Sequence, residues 1–194
     1  MSTDQPDFGT RIVEPVYFRY PTGWMSWQAI LGDLARGEAD ARLRIEATPT
    51  ASATAWTVEV EWGANLERVT HSVSLAGALL ALWDTVIDRH VLYAGDQSKR
   101  GPGVYEPDDV LDIETQAAIQ RLLGVTRAAF GGDWVVMMTY HPVAQADQRV
   151  HSRLIANDGA VAVSAAGATL IDGARGLMRA AAPHFPKPPK AQKA

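Results

Sequence analysis

Val73-Ser-Leu-Ala-Gly-Ala-Leu-Leu80 returns ninety residues later as Val163-Ser-Ala-Ala-Gly-Ala-Thr-Leu170, both of the form V-S-x-A-G-A-x-L. In an alanine-rich chain so short a match gains weight only if the elements around it recur in the same order. Before the first occurrence, Trp24, Trp27, Ile30, Leu31 and Leu34 stand at helical spacing, which predicts a helix over 24–35 with Thr22 as N-cap and Gly37 as stop. Leu43, Ile45 and Ala47 then alternate with Arg42, Arg44 and Glu46, and Trp56, Val58, Val60 and Trp62 with Thr57, Glu59 and Glu61. Both runs read as half-buried strands. After the turn Trp62-Gly-Ala-Asn65, a third strand carries Val69, His71 and Val73, and Ser74 caps a helix to about Asp88.

Around the second occurrence the order is the same. Pro107-Asp-Asp opens a helix whose apolar side is Ile113, Ala117, Ile119, Leu122, Leu123 and Phe130, and Gly131-Gly132 ends it. Strands follow at 134–140, at 149–156 and, past the turn Asn157-Asp-Gly159, at 160–163, with Ser164 capping a last helix to about Ala181. The predicted fold class is α+β: a tandem duplication of an α-β-β-β-α unit forming one pseudo-symmetric domain, with antiparallel sheets and helices packed on one face. Three-stranded sheets are marginal alone, so the two copies are expected to share a core. The boundaries are an N-terminal extension (1–19), a first copy (20–92), a Gly- and Pro-rich linker (93–107), a second copy (108–182) and a mobile Pro/Lys tail (183–194). An offset of ninety sets Leu82, Trp83 and Val86 against Asp172, Gly173 and Gly176, so the Trp83 face is expected to pack on the glycine-lined strip.

Composition narrows the function classes. With 47% hydrophobic and 21% charged residues among 194, the chain has the make-up of a folded protein. Residues 183–194 hold three lysines and no acid, so the net charge of −4 divides into a +3 tail and a body of −7. Such a body does not attract a nucleic-acid backbone or an anionic membrane as a whole. The absence of cysteine excludes disulfides, thiolate catalysis and Cys-ligated zinc, and fits a cytoplasmic protein. No apolar run reaches the roughly 18 residues of a membrane span, and MSTDQPDFGT has no export signal, so a soluble, unexported protein is expected.

Motifs for catalysis are missing. Gly95-Asp-Gln-Ser-Lys-Arg-Gly-Pro-Gly103 has the wrong order for a phosphate loop, since Pro102 stands where the lysine should follow and removes an N–H. None of His71, His90, His141, His151 and His184 has another histidine three or four residues away, so no helical metal pair is suggested. Asp147 and His151 are too far apart along an extended chain to form a catalytic pair. Asp108, Asp109, Asp112 and Glu114 are accounted for by a helix start. No cofactor or metal is expected, and the balance leans away from an enzyme.

Surface pattern says more. Glu59 and Glu61 would face Arg42 and Arg44 if their strands pair, whereas Arg149, His151 and Arg153 project from one side of a strand with no acid of their own. Trp24 and Trp27 read as core, or as the rim of a groove. Pro186-Lys-Pro-Pro189, with Lys187, Lys190 and Lys193, allows recognition of the tail. The expected function is therefore a non-catalytic binding or scaffolding module that engages a protein partner through a sheet face or the groove between the repeats. The alternative is a protein associated with single-stranded DNA or RNA through Arg149, Arg153 and the lysine tail. A third is a small-ligand enzyme with its site between the copies.

Overall fold

The computed structural model describes residues 23–37, 40–71, 74–86 and 111–185. In it, alternation decides which side of each strand meets the helices. β1 (Ala41–Pro49) buries Ala41, Leu43, Ile45 and Ala47, and β2 (Thr54–Trp62) buries Trp56, Val58, Val60 and Trp62. After β3 (Asn65–His71), the pattern returns in β4 (Trp134–Tyr140), which buries Trp134, Val136, Met138 and Tyr140. In β5 (Val150–Ala156) the buried positions are Val150, Ser152, Leu154 and Ala156, and β6 (Val161–Gly167) follows across the turn at Asn157–Gly159. Asn157, Asp158 and Gly159 all take positive φ, which suits Asn, Asp and Gly better than other residues.

The strands form one antiparallel sheet in the order β3-β2-β1-β4-β5-β6. The two three-stranded meanders are joined where β1 pairs with β4, with Leu43 opposite Tyr140, Ile45 opposite Met138 and Ala47 opposite Val136. Among the described residues there are four helices, α1 (Trp24–Gly37), α2 (Leu75–Val86), α3 (Ile113–Phe130) and α4 (Leu170–Ala181), and short 3-10 turns at Ala146–Gln148 and Ala182–His184. Their apolar sides and the buried sides of the strands make one contiguous core. All six tryptophans are in it.

Helix starts follow side-chain caps. The Ser74 hydroxyl accepts from the Gly77 N–H at 3.0 Å, as the sequence predicts. The Asp112 carboxylate accepts from the Thr115 N–H at 2.7 Å and from the Thr115 hydroxyl at 2.9 Å, so α3 begins at Ile113; the start predicted at Pro107 lies outside the described residues.

Ser164 does not cap a helix. It sits in the middle of β6, which stays paired with β5 as far as Gly167 opposite Val150. Thr169 caps α4 instead, accepting from the Asp172 N–H at 3.1 Å while donating to the Asp172 carboxylate at 2.8 Å. The first V-S-x-A-G-A-x-L segment therefore runs into a helix and the second through a strand, so the ninety-residue match does not join equivalent positions. The expected contact between Trp83 and the glycine strip also falls. Trp83 packs edge-on against Trp27 of α1, with ring centroids 5.4 Å apart, while Gly173 lies on β5 and Gly176 on β6.

Candidate binding face

Helices cover one side of the sheet, and the other side is a polar surface whose rows are set by strand register. One row runs Arg68, Glu59, Arg44, Thr139, His151 and Ala166 across β3, β2, β1, β4, β5 and β6. The next holds Thr70, Thr57, Glu46, Met137, Arg153 and Ser164. A depression of about 700 Å³ lies over this face. It straddles the β1–β4 seam, so the sheet face and the junction between the two halves are one place.

Electrostatically the two halves of the face differ. On the open face of β1 to β3 each glutamate, Glu46, Glu59 and Glu61, is held by an arginine. Arg42 binds Glu61 through Nε at 3.0 Å and Nη2 at 2.7 Å, which raises the guanidinium pKa above its ordinary value. Arg44 reaches Glu46 at 2.5 Å and Glu59 at 3.7 Å, and Glu59, only 8% exposed, also accepts from Arg68. On β4 to β6 no carboxylate projects from the described open-face positions. Arg153 and His151 are exposed there, and Arg153 has no ion-pair partner among the described residues.

His141 follows β4 and its imidazole stands edge-on to that of His151, with ring centroids 5.9 Å apart. Burial lowers the His141 pKa, and the His151 ring and Arg42 push the same way, while Asp40 opposes them. No protein-family model, curated protein or solved structure matches the chain.

Of the residues that the sequence singled out, His151 and Arg153 line the depression together. Arg149 does not join them. It ends the 3-10 turn Ala146–Gln148 in a helical conformation, with its Nε shut from solvent and its charge near the Tyr140 phenol. Trp24 and Trp27 are 5% and 0% exposed and belong to the core, where Trp24 meets the Tyr140 ring edge-on at 5.4 Å. Lys187, Lys190 and Lys193 lie outside the described residues. Met137, Thr139 and Ala166, which the sequence does not single out, also line the depression, as do His141, considered there only for metal, and Ser164, expected there as a helix cap. Parity alone puts most of them on the open side, but only the pairing of β1 with β4 brings them to Arg44. Among the described residues no three His, Cys, Asp or Glu side chains gather as a metal ion would require, and no helix is long and apolar enough to cross a membrane.

Proposed function

We propose that the chain is a non-catalytic binding module whose open sheet face receives a segment of a protein partner that presents acidic side chains. The observation that carries this reading is Arg153, which has no ion-pair partner among the described residues, beside His151 on a face where each described glutamate is already held by an arginine. An incoming carboxylate would find charge-assisted donors there without displacing an existing pair. Single-stranded nucleic acid is less favoured: no Phe, Tyr or Trp projects from the described open-face positions to stack on a base, and three glutamates share the face.

We read the two halves as copies of one unit, in a register other than that of the V-S-x-A-G-A-x-L match, which would put the site at their seam. β3 and β6 are each seven residues long, and Leu75, Ala78, Leu79, Leu82 and Val86 of α2 find buried counterparts in Leu170, Gly173, Ala174, Leu177 and Ala181 of α4, each 95 positions on. On this reading the depression grew where two copies of one unit met edge to edge.

The test is fluorescence anisotropy at low salt with three labelled probes: a nine-residue peptide of alternating Glu and Val, its Lys-for-Glu counterpart, and an oligo(dT). Binding of the acidic peptide alone, lost in Arg153→Glu, is the expected result. Preference for the oligo(dT), or no binding of the acidic peptide, would overturn the reading.

A further inference from the structure

The two edges of the sheet are guarded differently. β3 carries Glu67 and Arg68, charges of the kind that keep foreign strands from pairing with an exposed edge. β6, Val161-Ala-Val-Ser-Ala-Ala-Gly167, has no charge, no proline and no side chain larger than valine, and among the described residues it is bonded to β5 alone. The 3-10 turn Ala146–Gln148 touches β6, and chain order puts it by the end where Gly167 faces Val150.

On the open side, Ala162, Ser164 and Ala166 are exposed and stand next to Ile155, Arg153 and His151. Side chains this short leave the way clear for Arg153 to reach across β6. A seventh strand would lie about 4.8 Å beyond β6 and place alternate side chains on this same face. We infer that the acidic partner docks as that strand, adding to the β6 edge with its backbone while its open-face carboxylates meet Arg153 and His151. This rests on the binding reading above and specifies its geometry. Affinity would come from main-chain hydrogen bonds and selectivity from alternate side chains. A second copy of this chain fits less well, because its own β6 would bring only Ala162, Ser164 and Ala166 to the arginine and no acid.

Alternate N–H groups of an extended peptide point to opposite edges, so N-methylation on one alternate set blocks pairing with β6 and on the other set points to solvent. Two N-methylated versions of the Glu/Val nonapeptide, one for each set, keep every carboxylate. The inference expects one of them to lose about tenfold or more in affinity and the other to bind as the parent does. Hydrogen exchange on the full chain should show residues 161–167 slowed by the parent peptide. If both methylated peptides bind like the parent while Arg153→Glu still abolishes binding, the face reading stands and strand addition is wrong. If no peptide binds, both fall. A dimer in sedimentation with residues 161–167 already protected would assign the edge to a second copy and overturn the inference.

Discussion

Gly173 of α4 rests on Ser152 of β5 with no space for a side chain between them. A methyl group on Gly173 would stand 2.5 Å from the Ser152 Oγ, 2.8 Å from a Val150 methyl and 3.3 Å from the Met138 Cε. The helix and strand backbones approach this closely only because position 173 has no Cβ. Gly173→Ala should therefore destabilise the protein by about 1–3 kcal/mol through overpacking, despite the better helix propensity of alanine. The Ser152 hydroxyl is buried with no hydrogen-bond partner among the described residues. Ser152→Ala should be close to neutral and should recover part of the loss in the double variant. Urea unfolding of the four proteins measures both effects, and a neutral Gly173→Ala would show that α4 is free to lift.

Trp27 and Trp83 tie α1 to α2 over the first half of the sheet. Both are fully buried and meet edge to face, the geometry that the ring quadrupoles favour. Truncating either to alanine should cost about 3–5 kcal/mol, from lost burial plus the cavity left behind. Phenylalanine at either site should cost clearly less, since it keeps an edge-to-face partner. Thermal unfolding followed by circular dichroism separates the two substitutions. A similar loss for Phe and Ala would mean that the ring contact itself adds little.

Strands were legible in the sequence because a period of two is a strong signal when one face is buried. That Glu59 and Glu61 face Arg42 and Arg44 was legible as well, since β1 and β2 are adjacent in the chain; which arginine meets which glutamate is set by the register across the short turn at Thr50–Ala53. The β1–β4 seam was not, because parity tells which face a residue occupies and says nothing of which distant strand lies beside it. Ser164 misled for a related reason. Serine serves equally as a strand residue or a cap, and only the continued pairing of β5 with β6, together with the Thr169–Asp172 box, decides between them. Arg149 was placed on the same face as Arg153 by counting in twos. The helical backbone at Arg149, set by the preceding 3-10 turn, breaks that count.

His141 gives the stability a dependence on pH. Its pKa in the folded protein lies below the ordinary value of 6.5, mainly because burial penalises the imidazolium and then because of His151. As pH falls through about 6.5 the unfolded chain takes up a proton that the folded one resists, so stability decreases toward acid. Above that range the residue contributes no slope. His141→Gln should flatten the dependence between about pH 7 and the lowered folded pKa, as read from urea midpoints at several pH values. An unchanged slope in the variant would place the proton uptake elsewhere.

Arg153 and Glu59 stand on the same face but should respond in opposite ways. Arg153 is exposed and has no ion-pair partner among the described residues, so Arg153→Ala should change stability by no more than about 0.5 kcal/mol. Glu59 is 8% exposed and lies between Arg44 and Arg68, so Glu59→Ala removes a hydrogen-bonded carboxylate and leaves two cations side by side. Its cost, discounted for the exposure of both arginines, should be about 1 kcal/mol, and smaller at high salt. Binding of the Glu/Val nonapeptide should move the other way: weaker in Arg153→Ala, and stronger in Glu59→Ala, because the face loses a negative charge and Arg68 loses its carboxylate while Arg44 keeps Glu46. Parallel stability and anisotropy measurements on the two variants would show whether Arg153 is held for recognition while Glu59 is held for the fold. If Arg153→Ala costs as much stability as Glu59→Ala and leaves peptide binding unchanged, Arg153 is a structural residue and the open face has lost its anchor.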